Sequence, residues 1–167
     1  MKKIIMASTS TVHGSGYLAY ILDELKIFFK DIKTILFIPY ARPGGISHDA
    51  YTENVQEAFN KINKNVTGIH TFENPVLAIE KAEAIFVGGG NTFVLLNQLY
   101  KQKLINPLKD AVSNGTPYLG TSAGSNICGL TIKITNVVPI IYPPNFNALG
   151  FVLVNLNHLK LDPYRTS

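Results

Sequence analysis

The residues best suited to chemistry lie past the middle of the chain, where Gly120-Thr121-Ser122-Ala123-Gly124 has the spacing G-x-S-x-G. This spacing is typical of a nucleophile elbow, a tight turn between a strand and a helix that exposes a serine hydroxyl. Small residues on either side of the serine let neighbouring backbone segments approach, and glycine accepts the dihedral angles of such a turn. The pattern predicts Ser122 as a nucleophile that attacks a carbonyl. The alternative is a glycine-rich loop that carries a surface serine.

The residues around this pattern match the elements that an elbow requires. Tyr118-Leu119 completes a short apolar run after the turn residues Asn114-Gly115, as an arriving strand should. Residues 123–127 can open a helix, whose first amides would point at the oxygen that gains negative charge during attack. We therefore predict that the amide of Ala123 contributes to an oxyanion hole.

A second glycine-rich motif, Gly88-Gly89-Gly90-Asn91, follows directly on the apolar run 84–87. It offers backbone amides without side-chain obstruction at a strand-to-helix junction. We predict that Gly89, Gly90 and Asn91 bind substrate or the oxyanion together with Ala123. The alternative is a turn that only lets a strand and a helix pack closely. The fingerprints of phosphate-binding and dinucleotide-binding loops are absent.

A serine nucleophile needs a base, most often a histidine, and the chain has four. His13 and His48 follow the first and second predicted strands, and His70 follows the third. His158 comes at the end of an apolar strand candidate, where a catalytic residue of a parallel sheet would lie. Its position favours His158 as the general base, against the alternative that each histidine is a surface or core residue.

Short apolar runs alternate with segments of helical period, which predicts a parallel sheet covered by helices on both faces. Catalytic sites of such sheets lie beyond the carboxyl ends of the strands, where both glycine motifs fall. The predicted strands span residues 3–7, 34–38, 66–70, 84–87 and the run before Gly120, with further candidates at 131–135 and 151–156. The predicted helices span residues 17–29, 49–62, 75–81, 93–100 and 107–113, and Asn74 is the expected cap of the third.

The bulk composition indicates one folded domain over residues 1–167, with 46% hydrophobic and 16% charged residues. The net charge of +4 comes from scattered lysines, which argues against a nucleic-acid partner. The single cysteine, Cys128, excludes an internal disulfide and is expected to be a small buried side chain. We expect no metal and no cofactor, because no ligand set has suitable spacing. No run has the length of a signal peptide or membrane span, so the cytoplasm is the expected location and no membrane partner is predicted.

Two segments, 85–93 (Ile-Phe-Val-Gly-Gly-Gly-Asn-Thr-Phe) and 118–126 (Tyr-Leu-Gly-Thr-Ser-Ala-Gly-Ser-Asn), closely resemble the peptidase E family. These are serine dipeptidases that cleave after an N-terminal aspartate. The resemblance implies a doubly wound α/β sandwich akin to class I glutamine amidotransferases, with serine in place of their cysteine. It also implies a small peptide substrate, an acyl-enzyme on Ser122, His158 as general base, and oxyanion amides from the glycine turn and Ala123. Shorter matches at 37–41, 49–52, 67–70 and 146–149 extend the likeness along the chain.

The sequence departs from the family pattern near its end. Val137 stands where the family usually has an aspartate, and Asn157-His158 replaces the usual Asn-Pro-His. Relatives continue through further elements, including a glutamate that can act as third catalytic group and an arginine implicated in binding the aspartyl carboxylate. Asp162 and Arg165 do not have the matching spacing. We therefore expect a sheet incomplete at its C-terminus, with an uncovered edge or face that favours self-association.

Three functions follow as hypotheses. The first is a serine dipeptidase for dipeptides with an N-terminal aspartate. The second is an impaired or inactive shortened member of the family that acts only as a binding or scaffold domain, which the missing acid favours. The third is an esterase of the α/β-hydrolase type, although no Asp or Glu lies between Ser122 and His158 to complete its usual order of residues.

Overall fold

The computed structural model describes residues 1–133, 135 and 137–154. Its core is a five-stranded sheet in the order β1-β5-β4-β2-β3, and every neighbouring pair is parallel. This arrangement confirms the predicted parallel sheet. The strands are β1 (Ile4–Ala7), β2 (Thr34–Ile38), β3 (Asn65–Gly68), β4 (Ile85–Val87) and β5 (Tyr118–Thr121).

Helices connect the strands and pack on both faces, as the alternating pattern predicts. Three of them begin with side-chain caps: Ser47 Oγ accepts from Ala50 N at 3.1 Å, Asn74 Oδ1 accepts from Leu77 N at 3.0 Å, and Asn91 Oδ1 accepts from Phe93 N at 3.0 Å. The predicted cap at Asn74 is therefore confirmed. The helices are α1 (Leu22–Phe28), α2 (His48–Asn60), α3 (Pro75–Glu80), α4 (Thr92–Lys101), α5 (Ile105–Ser113) and α6 (Ala123–Asn126).

Successive residues of the central strands pack into two different hydrophobic clusters, one on each face of the sheet. Phe37 and Phe86 belong to the cluster that includes residues of α1 and α2. Their neighbours Ile38 and Val87 belong to the cluster that includes residues of α4 and α5. Because a strand buried on both faces must be apolar at every position, β2 and β4 have no polar residue after Thr34.

Two predicted elements are shorter than expected, and part of each becomes a 3₁₀ turn. The helix predicted over residues 17–29 begins only at Leu22, after a 3₁₀ turn at Ala19–Ile21. The strand predicted over residues 66–70 ends at Gly68, and Ile69–Thr71 turns away from the sheet.

The predictions of strands after residue 129 are wrong for the described residues. Residues 131–133 and 135 contribute one antiparallel bridge, between Thr131 and Asn147, and residues 151–154 form bends. The reason is that the amides here bond outside the sheet: Ile132 N donates to Phe146 O at 3.0 Å, and amides of residues 149–152 bond to the three residues that follow α6. Leu149 N donates to Ile127 O at 2.8 Å, and Phe151 N donates to Cys128 O at 2.8 Å. In the described part of the chain, no helix combines the length and apolar character that a membrane crossing requires.

Replacing Phe86 with alanine should lower the free energy of unfolding by about 3–5 kcal/mol, because the ring is fully buried. Its centroid lies 5.1 Å from that of Phe37 and 5.9 Å from that of Phe59. Urea denaturation measures the change. The control Ile27→Ala removes a side chain that is 72% exposed and should change stability by less than about 0.5 kcal/mol. Equal losses for the two variants would contradict the assigned core.

Candidate active site

The two glycine motifs lie side by side beyond the carboxyl ends of neighbouring strands. Ser122 follows β5, the Gly88-Gly89-Gly90 turn follows β4, and the two strands pair with Val87 beside Gly120. A methyl group added at Gly89 would lie 3.0 Å from Ser122 Cβ. The serine and the glycine turn therefore face the same small volume.

The backbone of Ser122 is in a rare conformation, with φ 50° and ψ −108°. A positive φ in a residue with a side chain costs on the order of 1–3 kcal/mol and persists only where the surroundings enforce it. Three hydrogen bonds do so here. Ser122 N donates to Ala7 O at 2.9 Å, and Ser122 O accepts from Ser125 N at 3.0 Å and Asn126 N at 2.9 Å. The predicted strand, tight turn and helix around a half-buried Ser122 are all present.

Close backbone contacts explain why glycine flanks the serine at both ends of the motif. A methyl group at Gly124 would lie 2.1 Å from Val87 O, and one at Gly120 would lie 2.5 Å from Gly124 O. Both distances are far below any carbon–oxygen contact. The two glycines therefore let α6 pack directly against the backbones of β4 and β5.

Two buried hydroxyl groups fasten α6 to the sheet. Ser125 Oγ lies within hydrogen-bond distance of two carbonyls, Ala7 O at 2.7 Å and Gly120 O at 2.8 Å. Tyr118 Oη donates to Gly124 O at 2.7 Å. These bonds hold the first turn of α6 against β1 and β5, and so they fix the direction in which Ser122 leaves the sheet.

The glycine turn is held by α2, through a residue that the sequence did not single out for the site. Tyr51 Oη accepts from Gly89 N at 3.0 Å and donates to Gly89 O at 3.2 Å. The next residue, Gly90, has φ 146°, and a methyl group there would lie 2.3 Å from Ala41 O. The amide of Gly89 is thus occupied. The amides of Gly90 and Ala123 have no acceptor within the described part of the chain.

Asn91, predicted as a binding residue, uses its polar groups within the fold. Its Oδ1 caps α4 by accepting from Phe93 N at 3.0 Å and Val94 N at 3.1 Å. Its Nδ2 donates to Val138 O at 2.9 Å, and its amide donates to Ala41 O at 2.7 Å. These contacts position the turn, and a direct role of Asn91 with substrate stays a prediction.

His158, the predicted base, lies outside the described residues, so its role also stays a prediction. His48 and His70 follow β2 and β3, and β3 is three strand spacings from β5, about 14 Å. His70 Nε2 bonds to Asp49 Oδ1 at 2.7 Å, and the His48 ring lies 5.3 Å from that of His70. Burial, and then the nearby His70, lower the pKa of His48. Neither β2 nor β3 pairs with β5, so the strand order does not favour either histidine as the base for Ser122.

The sequence also singled out Val137 and Cys128, and the structure shows the surroundings of both. Val137, at the position of the family's acid, packs half-buried against the core. Cys128 is buried, as predicted, and its Sγ lies 3.4 Å from Gly124 O. Among the described residues, no cluster of three or more His, Cys, Asp or Glu side chains has the geometry to hold a metal ion.

Replacing Gly124 with alanine should destabilise the chain by more than about 3 kcal/mol, because the new methyl group would overlap Val87 O. Thermal unfolding and circular dichroism measure the loss. Gly16→Ala is the matched control, since the nearest atom to a methyl group there is Ala19 Cβ at 3.9 Å. Equal stability of both variants would contradict the packing of α6 on β4.

Cys128 should resist alkylation by iodoacetamide at about pH 8 in the folded chain. Burial raises the pKa of its thiol to about 12, although a hydrogen bond with Tyr118 lowers it in part, so little thiolate forms. Mass spectrometry follows the modification. Labelling should become complete in concentrated guanidinium chloride. Labelling of the native chain as fast as that of glutathione would contradict the buried position.

Comparison with known proteins identifies the family of this chain. The sequence pattern of Peptidase family S51 matches residues 4–161. A Drosophila melanogaster protein named "Probable alpha-aspartyl dipeptidase" is 44% identical over 97% of this chain and 68% of its own length. Peptidase E of Haemophilus influenzae is 43% identical over 89% of this chain and 69% of its own.

A solved structure supports the fold separately. The crystal structure of a putative Peptidase E protein from Listeria monocytogenes EGD-e superimposes with a TM-score of 0.65 and 24% identity, over 91% of this chain and 76% of that one. The present chain spans about two thirds of the length of the curated relatives it matches. A match along nearly the whole chain and relatives at this identity show that the protein belongs to peptidase family S51.

Proposed function

We propose that this chain is a serine dipeptidase that hydrolyses dipeptides with an N-terminal aspartate. The family and the names of its relatives support the reaction and the substrate class. The observation that carries the proposal is the strained turn at Ser122, held against a glycine turn at the edge of a parallel sheet. A fold maintains such a conformation at the expense of stability, which is typical of a residue that must be presented to a substrate.

The proposed reaction begins when Ser122 Oγ attacks the carbonyl carbon of the aspartyl residue. The serine proton passes to the imidazole of His158, which the resemblance to the family favours as general base. The imidazolium then protonates the leaving amine as the peptide bond breaks, which leaves an aspartyl ester on Ser122. Water, activated by the same imidazole, hydrolyses the ester and restores the serine.

We assign the oxyanion to the amides of Gly90 and Ala123. Neither amide has an acceptor in the described residues, whereas the amide of Gly89 donates to Tyr51. Each donor that meets the developing charge contributes about 2.7–4 kcal/mol to catalysis. In this proposal Gly89 leaves room beside Ser122 for the substrate, and Asn91 holds the turn in place.

The proposal extends to the domain organisation, the location and the partners of the chain. We infer that residues 1–167 act as one hydrolase domain in the cytoplasm, that the chain associates with itself, and that it has no nucleic-acid partner. The scattered charge of +4 supports the last point. Apart from Val137 at the position of the family's usual acid, no feature of the described residues favours the scaffold alternative, and the family match favours a dipeptidase over an esterase.

Replacing Ser122 with alanine should lower the rate of Asp-Leu hydrolysis at least about 10³-fold, because the attacking oxygen is lost. Chromatography of released leucine measures the rate. The matched control Ser113→Ala changes an exposed serine in the last turn of α5 and should retain full activity. Equal turnover by wild type and Ser122→Ala would contradict the proposed nucleophile. No turnover of any aspartyl dipeptide by the wild type would contradict the proposed function.

A further inference from the structure

A pocket of about 310 Å³ opens on the other side of Tyr51 from the glycine turn. It lies between the loop after β2, the start of α2 and the segment that leads into α1. The residues that matter for its chemistry are Tyr17, Arg42 and Tyr51. Nothing in the proposed reaction uses this pocket.

Tyr51 links the pocket to the glycine turn that lies beside the nucleophile. Its ring lines the pocket, while its hydroxyl bonds to the amide and the carbonyl of Gly89. Gly89 is the residue whose missing side chain leaves room beside Ser122 Cβ. An extended dipeptide spans about 7 Å. Tyr51 therefore contacts both the pocket and the glycine turn beside Ser122, and a carboxylate of a bound dipeptide would have to reach across it.

Arg42 brings a positive charge to this pocket that no acidic group among the described residues neutralises. Its guanidinium carbon lies 5.3 Å from the centroid of the Tyr51 ring, stacked as a cation over an aromatic face. The side chain is exposed, and no carboxylate of the described residues forms an ion pair with it. Its planar set of donors is suited to bidentate binding of a carboxylate.

Two buried hydroxyls, of which that of Tyr17 lies beside Arg42, approach each other without a well-formed hydrogen bond. Tyr17 Oη and Thr121 Oγ1 are both buried without a hydrogen bond in the described part of the chain. Such groups lower stability unless a ligand or water satisfies them. Burial, and then the neighbouring Tyr51, raise the pKa of Tyr17, although the charge of Arg42 lowers it in part. Tyr17 thus remains protonated and can donate a hydrogen bond.

We propose that this pocket binds a carboxylate of the dipeptide, with Arg42 as its charged partner and the Tyr17 hydroxyl as a second donor. The inference rests on the proposed function, since it concerns the same substrate. An aspartyl dipeptide offers two carboxylates that are separated from the scissile carbonyl carbon by the same number of bonds. One is the aspartyl side chain, and the other is the free C-terminal group.

Replacing Arg42 with glutamine should lower kcat/KM for Asp-Leu about 10- to 100-fold, mostly through a higher KM, because a charge-assisted hydrogen bond is lost. Lys101→Gln removes an exposed positive charge from the last turn of α4 and is the matched control, with no change expected.

A second substrate, Asp-p-nitroanilide, has no C-terminal carboxylate and therefore identifies which of the two carboxylates the pocket binds. An equal loss on this substrate assigns the pocket to the aspartyl side chain. A loss on Asp-Leu alone assigns it to the C-terminal group.

Tyr17→Phe tests the second donor without removing the ring. It should raise KM for Asp-Leu several-fold and leave the melting temperature unchanged or higher, because the lost hydroxyl is buried without a partner. A melting temperature that falls while KM stays constant would assign that hydroxyl a structural role and contradict its part in the proposal.

A binding measurement separates this inference from the proposed function. Calorimetric titration of Asp-Leu into Ser122→Ala, and into the same variant with Arg42→Gln, requires no turnover. We expect binding in the first and at least about tenfold weaker binding in the second. If the wild type hydrolyses no aspartyl dipeptide, the proposed function fails and this titration still decides the pocket. Equal affinity of the two variants, or an Arg42→Gln enzyme with kcat/KM within twofold of wild type on Asp-Leu, would overturn the inference.

Discussion

The site depends on one close contact, in which the backbone of α6 at Gly124 rests on the carbonyl of Val87 at the end of β4. Because no side chain separates them, the helix starts immediately after β5 and the chain must reverse within a single residue. That residue is Ser122, and the reversal places its backbone at a positive φ. The bonds from Ser125 to Ala7 and Gly120 keep the helix in contact with the sheet. The strain at the serine is therefore a consequence of packing energy elsewhere.

The order of the strands determines which groups can meet at this turn. β4 and β5 are central neighbours, so the glycine turn and the serine turn emerge side by side from parallel strands. β2 pairs with the other side of β4, and the loop after it carries Arg42 to the same edge. The helix that follows this loop supplies Tyr51, whose hydroxyl holds the glycine turn. The connections that follow three adjacent strands, β5, β4 and β2, thus contribute a nucleophile, backbone amides and a positive charge.

Much of the fold could be predicted because its signals are local. The apolar runs of β2, β4 and β5, and the cap at Asn74, depend on neighbouring residues alone. The turn at Ser122 was also predictable, because glycines at this spacing indicate close backbone contacts even when the residue on the other side of the contact is unknown. The same reasoning failed after residue 129. There an apolar segment bonds to carbonyls at the end of α6, and this long-range pairing leaves no periodic pattern.

The missed parts of the site share this long-range character. Tyr51 bonds to Gly89, which is 38 residues away in the sequence, and its place in the apolar pattern of α2 predicts only a core residue. Tyr17 and Arg42 come together only because the segment before α1 and the loop after β2 pack beside Tyr51. Asn91 is different, because an asparagine directly before an apolar helix is a recognisable cap signal. Its capping role could have been predicted, and it explains why its polar groups already have partners.

The most direct test of the central claim is covalent labelling by a small reactive fluorophosphonate, followed by peptide mapping with mass spectrometry. The account predicts one modified residue, Ser122, with loss of Asp-Leu hydrolysis in proportion to labelling. Other serines, such as the buried Ser125, should remain unmodified. Full loss of activity with the label on a different residue, or undiminished activity after complete modification of Ser122, would contradict it.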